Sequence, residues 1–212
     1  MRKNKLLLLL ALLMTAATGA WATDGIACSA SDIGKVLCTD GSIYATVGDA
    51  TTAQKTAAAM IAYIDATNNK GLAIALEDVS NEQLTWDNSG NNNDSKTAAE
   101  WCSAWNTSKA VTGGTWRLPS EKDWQYMFIG CGSSESYSAP TYDPVMSKSY
   151  SGLAAKLTTA QGAALQTGVE YWSSSEYDPG SLAWLVLFDG SSATFGNGVE
   201  FIECRVRACL AF

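Results

Sequence analysis

Histidine is missing from all 212 residues. That removes Ser-His-Asp and Cys-His catalysis in their usual forms, and every histidine-bearing zinc site. Basic residues are sparse too. Fourteen Lys and Arg against 21 Asp and Glu leave a net charge of −7 and a pI near 4.5. Phosphate backbones are bound by positive surfaces, so nucleic acid is excluded as a partner. Beyond the N-terminal region no apolar run is long enough to span a bilayer. No internal repeat and no linker-like stretch divides the chain.

What is present begins with "MRKNKLLLLLALLMTAATGAWA". A basic start, an apolar run from Leu6 to Met14 and small residues before Ala22 have the layout of a cleaved secretory signal. Residues 1–22 are therefore read as a signal peptide and 23–212 as one exported domain, long enough for a full core. A transmembrane reading of this run is the minor one, since it is short for a bilayer. Lipid attachment at Cys28 is a rival, although the preceding Gly25-Ile26-Ala27 lacks the usual leucine.

Six cysteines in an exported chain suggest disulfides, with fifteen possible pairings. Cys28 and Cys38 are close enough in sequence to staple the region between them. Cys204 and Cys209 lie in "CRVRACLAF", which alternates like a strand. On one strand they would face opposite sides about 17 Å apart, whereas a disulfide needs α-carbons within about 7 Å.

"DIGKVLCTDGSIYAT" reads as two short strands around Asp40-Gly41. "KTAAAMIAYID" and "GLAIALEDV", separated by the turn-rich "ATNNK", read as a second hairpin. The polar stretch from Trp86 to Ser95 reads as a loop. In "KTAAEWCSAWN" the residues Ala98, Trp101, Cys102 and Trp105 share one helical face. A second helix opens at Ser120 or Pro119, with Glu121 and Asp123 in its first turn and Trp124, Met127 and Phe128 as its buried stripe. "MSKSYSGLAAKLTTAQGAAL" is a weaker helical stretch. Strands, then helices, then strands make an α+β protein.

The final hairpin carries the functional question. With Asp189-Gly190 as a two-residue turn, Phe188 faces Ser191, Val186 faces Ala193 and Trp184 faces Phe195. The heavier set, Trp184, Val186 and Phe188, points inward. Leu185, Leu187, Ser192 and Thr194 then share the other face. Either another loop such as "YDPGS" covers the two leucines, or they belong to a binding patch.

At "WRLPSEKDW", "YWSSSEY", "AWLVLFDG" and "RVRACLAF" the sequence resembles the C-type-lectin fold of the formylglycine-generating-enzyme type. The branch in question includes the C-terminal domain of the Legionella collagen-like protein. Exported gut-bacterial proteins of this shape are also similar, with "DIGKV" and "GLAIALEDVS" near their start. The resemblance implies small antiparallel sheets with two to three helices, stabilised by disulfides, in a protein secreted or on the cell surface of a gram-negative bacterium, the periplasm being also open. It implies a bridge from Cys102 to Cys209, which leaves Cys131 and Cys204 over.

Some members resemble variable proteins of diversity-generating retroelements. For these the resemblance implies a variable segment from Tyr177 to about Glu203. The expected ligand surface is then Tyr177, Asp178, Leu182, Leu185, Leu187, Ser192, Thr194, Asn197 and Phe201. Its partner would be a protein or glycan on another cell, a phage or a host surface. "EYDPG" is not the Glu-Pro-Asn or Gln-Pro-Asp of calcium-dependent lectins, so no metal and no cofactor is expected. The cysteine spacing invites comparison with formylglycine-generating oxidases. Opposite faces deny Cys204 and Cys209 mutual access, so a non-enzymatic binder is expected, with a cell-surface structural or adhesion subunit as the alternative.

Overall fold

The computed structural model describes residues 25–87, 96–141 and 146–212. The expected signal peptide and residues 88–95 of the expected loop lie outside the described residues. The first two strands, β1 (Val36–Cys38) and β2 (Ile43–Tyr44), turn through Gly41 at φ 84°. A short helix, α1 (Val47–Thr52), follows where none was expected. Its start was legible. Thr46 accepts from the Asp49 N–H, and the Asp49 carboxylate accepts from the Thr46 N–H, a reciprocal cap spelled T-x-x-D.

The hairpin expected next is β3 (Ala57–Asp65) and β4 (Lys70–Ala75). After β5 (Leu84–Thr85) come α2 (Ala98–Ser108), β6 (Thr115–Arg117) and α3 (Glu121–Gly130). Ser120 caps α3, accepting from the Asp123 N–H, and Trp124, Met127 and Phe128 are buried as expected. The chain continues through β7 (Met146–Ser149), α4 (Ser151–Thr159), β8 (Glu170–Asp178), β9 (Leu182–Asp189) and β10 (Ser192–Val199). It closes with β11 (Glu203–Cys204) and β12 (Cys209–Ala211).

The fold is α+β with small antiparallel sheets and four α-helices among the described residues, more than the two to three expected. A six-stranded sheet runs β2-β1-β3-β4-β12-β6, a four-stranded sheet β7-β10-β9-β8, and β11 pairs with β5. The last strand therefore lies inside the first sheet, between β4 and β6. No helix among the described residues is long and apolar enough to cross a membrane.

Both sheets bury side chains on both faces, which explains their unbroken apolar runs. From the six-stranded sheet Ala59, Ile61, Ala73 and Leu210 join one core with Ala98, Cys102 and Trp105 of α2. Met60, Ala62, Ile74 and Cys209 point the other way, toward Trp124 and Phe128 of α3 and Leu153 and Leu157 of α4. The four-stranded sheet divides likewise. Trp172, Ala183 and Leu185 belong to the first core, and Tyr171, Val186, Phe188 and Phe195 to the second.

"CRVRACLAF" is not one strand. Residues 205–208 leave the β11 pairing before β12 joins the large sheet, so Cys204 and Cys209 sit in different sheets. Within the break lies Arg207, 1% exposed, whose guanidinium bonds inward. Its Nε donates to Asp78 Oδ1 at 2.6 Å and its terminal nitrogens to the carbonyls of Ala75, Ala163 and Ala164. A charge this deep is tolerated only when paired and fully bonded.

All six cysteines are buried thiols, so the bridges Cys102–Cys209 and Cys28–Cys38 are not formed in this structure. Cys102 and Cys209 do lie near one another: burial, and then the neighbouring Cys209, push the Cys102 thiol well above its ordinary value.

Candidate ligand-binding lip

The β9–β10 hairpin turns through Gly190 and Ser191, with Asp189 opposite Ser192. This is two residues away from the expected sum of pairs, so Val186 faces Phe195 and Phe188 faces Ala193. An even shift leaves every side chain on its expected face. Trp184, Val186 and Phe188 are buried as anticipated.

The expectation for Leu185 is corrected. It is 3% exposed and packed into the first core. The reason lies across the hairpin, where Gly196 and Gly198 occupy the same face. A Cβ at Gly198 would come within 2.8 Å of Ile202, 3.0 Å of Leu185 and 3.5 Å of Trp172. Two missing side chains thus make the trough in which Leu185 lies, closed by Ile202 and Trp172. The signal was readable as G-x-G opposite a leucine. The cover is Ile202 and not the anticipated "YDPGS" turn. Leu187 is half-buried.

The remaining expected residues separate into two groups. Ser192 and Thr194 sit by the hairpin turn next to β7, where the Thr194 and Ser147 hydroxyls are 2.9 Å apart. Tyr177, Asp178, Leu182, Asn197 and Phe201 lie toward the opposite end. There Asp178 pairs with Leu182, Leu182 with Val199 and Asn197 with Trp184. The Glu200 N–H donates to the Ser181 carbonyl, tying the turn that carries Phe201 to the β8–β9 turn. From Ser192 to Val199 an extended strand covers roughly 23 Å, so one small ligand would not touch both groups.

At this far end the strands form a lip. Tyr177 stands edge-on to Trp184, with ring centroids 4.9 Å apart and planes at 87°. Tyr177 is 42% exposed and Phe201 55%, the two exposed large hydrophobic residues among those described.

The floor of the lip was missed by sequence reasoning. Trp86 donates its indole N–H to the Ser173 carbonyl at 2.7 Å. The backbone N–H groups of Trp86 and Asp87 both donate to the Glu200 carbonyl. The Glu200 side chain is 3% exposed and its Oε1 has no hydrogen-bond partner. Burial, then the nearby Asp87 carboxylate and Glu176, push its carboxyl above the ordinary range. Nothing in the sequence distinguishes buried Glu200 from exposed Glu203, three residues on. Among the described residues no three His, Cys, Asp or Glu side chains converge to hold a metal ion.

No protein-family model and no curated protein matches the sequence. Among solved structures the chain is similar to a fimbrial protein from Bacteroides ovatus, with a TM-score of 0.44 and 12% identity. That likeness takes in 85% of this chain and 48% of the other, so the chain spans about half the length of that protein.

Proposed function

We propose that the chain is an exported ligand-binding module on a C-type-lectin-like frame, and that its partner meets the lip formed by Tyr177, Asp178, Leu182, Asn197 and Phe201. The observation that carries this reading is Tyr177. Its ring is braced against Trp184 while 42% of the residue remains exposed. An aromatic anchor whose orientation is already fixed loses little entropy on binding, and such anchors carry a disproportionate share of interface energy. In support of the frame, the last strand is held between β4 and β6 in the large sheet while the separate four-stranded sheet carries β9 and β10, residues 182–189 and 192–199. Diversification of that segment belongs to the same proposal. A reverse-transcriptase gene beside this one, with a near-repeat of the segment encoding Tyr171 to Phe212, is the outcome that supports it.

A non-enzymatic role is part of the reading. Burial pushes the Cys131, Cys204 and Cys209 thiols up to about 12. A thiol that high supplies no nucleophilic thiolate at neutral pH. The partner is a protein or a glycan on another cell, a phage or a host surface. The alternative, a structural or adhesion subunit of a cell-surface assembly, shares the export signal and differs in partner. The deciding experiment compares the purified chain with the double variant Tyr177→Ala, Phe201→Ser. Loss of cell-surface binding by the variant, with the chain monomeric in sedimentation, supports the lip. Concentration-dependent polymerisation that the variant does not alter supports the subunit.

A further inference from the structure

At one end of the large sheet, the β3–β4 turn, the first turns of α3, and the strands β6 and β12 enclose an open groove of about 770 Å³. Pockets of a few hundred to a thousand Å³ accommodate small organic ligands. Its walls are flat rings. Tyr63 stacks on Tyr126 at 4.8 Å, and Tyr126 on Tyr137 at 5.8 Å, so Tyr63 ends a column of three rings. Phe212, also in the lining, lies over Gly71, where a Cβ would come within 2.3 Å of the ring.

The charges lining the groove have mostly been consumed. Arg117 is held by both carboxylate oxygens of Asp123, which also accepts from the Ser120 N–H and hydroxyl. Asp65 caps its own turn, one oxygen accepting from the Thr67 and Asn68 N–H groups and the other from the Asn68 amide. The Phe212 main-chain oxygen accepts from the Gly71 N–H. What remains are Lys70 and Lys122, both exposed and neither in an ion pair among the described residues. The Lys122 ammonium stands 5.7 Å from the Tyr126 ring and 5.3 Å from that of Tyr137. In a chain of net charge −7 the groove therefore presents two ammonium groups beside aromatic faces, Lys70 within electrostatic reach of Asp65 and Lys122 of Glu121 but neither in an ion pair.

We infer that this groove binds an acidic saccharide, a pyranose bearing a carboxylate, with its C–H face against Tyr63 and its carboxylate at Lys70 and Lys122. Flat rings suit the apolar face of a sugar, and the Asn68, Asn69 and Thr115 side chains that line the groove match its hydroxyls. An acidic peptide fits less well. An extended peptide docks on a free strand edge, but β4 and β12 are paired on both sides. The outer edge of β6 is closed by Asn106, whose amide exchanges two hydrogen bonds with the Trp116 backbone.

Calorimetric titration of the purified chain tests this with a short oligogalacturonate, a neutral galacto-oligosaccharide of equal length, citrate, and a short polyglutamate. The expected result is binding of the oligogalacturonate, weakened roughly tenfold by Lys122→Gln and by Lys70→Gln, with the neutral sugar at least that much weaker. Both lysines are exposed, so neither variant threatens the fold. Tyr63→Ala should abolish binding and Tyr63→Phe should retain it. No binding of oligogalacturonate, equal binding of the neutral sugar, or indifference to both lysine variants overturns the inference. Equal binding of citrate overturns the saccharide, and tighter binding of polyglutamate replaces it with an acidic peptide. Tyr177→Ala, Phe201→Ser should leave this titration unchanged, so failure here and failure of the lip are separable.

Discussion

The two larger sheets are written in the same kind of sequence and finish differently. In the six-stranded sheet, β3 and β4 are buried on alternate faces for most of their length, so α2 covers one side while α3 and α4 cover the other. In the four-stranded sheet only short stretches are treated this way, residues 171–173 of β8 and 183–186 of β9. Beyond them β8 emerges toward solvent from Ser174 onward, and β10 thins to two glycines. A frame fully buried on both faces cannot present side chains without losing stability. A sheet buried at one end and open at the other can, because the buried end fixes the strands and the open end varies at little cost. The two sheets thus divide the work, and each prediction below would sharpen or erase that division.

The largest effect should come from the frame. Arg207→Ala removes the ion pair to Asp78 and three bonds to carbonyls, leaving orphaned acceptors and a half-buried carboxylate that keeps the Tyr171 hydroxyl. A loss of about 3–5 kcal/mol is expected in urea unfolding. A loss no greater than a surface substitution produces would mean that the tie is not rigid, and the frame would then resemble the open end.

Next comes the boundary within the four-stranded sheet. Leu185→Ala should cost about 2–4 kcal/mol, because the residue fills the trough over Gly196 and Gly198. Leu187→Ala, two residues on and half-buried, should cost about 1 kcal/mol. Equal losses at the two positions would move the boundary and bring the whole hairpin into the core.

The third effect is smaller and has opposite signs in the two regions. Burial alone would raise the Asp123 carboxyl, but its bonds from Arg117 and Ser120 outweigh that and hold it below the ordinary range. Its contribution is therefore present above about pH 4 and is lost as pH falls through the lowered folded value. Glu200 behaves the other way. Its raised carboxyl favours the fold when protonated, and that contribution is lost as pH rises through the folded value. Asp123→Asn should thus lower stability at neutral pH and flatten the acid limb. Glu200→Gln should raise stability at neutral pH, with the difference vanishing in acid. If both variants destabilise at neutral pH, the Glu200 carboxylate has a partner of its own and the floor of the lip is not strained.

What was legible in the sequence follows the same division. Alternation and helical spacing located the β3–β4 hairpin, α2, α3 and the β9–β10 hairpin, because those patterns are set by burial of whole faces. An acidic first turn after Ser120 or Pro119 located α3, whose cap is Ser120 with Asp123, and the like spelling T-x-x-D would have located α1. Features that depend on partners distant in the chain were not legible. The insertion of β12 between β4 and β6 is one. The inward bonding of Arg207, within the gap between β11 and β12, is another. Glu200 is a third, buried beside a segment far back in the chain whose Trp86 and Asp87 N–H groups bond to its carbonyl. Leu185 lies between these classes: periodicity placed it on the correct face, but the cover over that face is Ile202, from beyond the hairpin.

The smallest effect on stability should accompany the largest effect on binding. Tyr177 packs edge-on against Trp184, and such a pair is worth about 0.5–1.5 kcal/mol beyond burial. Tyr177→Ala should therefore shift the unfolding midpoint only slightly, and Phe201→Ser less, since 55% of Phe201 is exposed. Trp184→Ala, one ring deeper, should cost about 3–5 kcal/mol because it is nearly buried. Binding should rank these residues differently. If Tyr177 and Phe201 are anchors, their loss removes attachment to the target surface from a chain that remains folded, and the wild-type attachment should persist in EDTA because no lectin-type calcium triplet is spelled in this sequence. Loss of attachment in EDTA that calcium restores would bring a metal into the lip. A Tyr177→Ala chain as unstable as Trp184→Ala would return Tyr177 to the frame, and the open end of the small sheet would begin farther out than proposed.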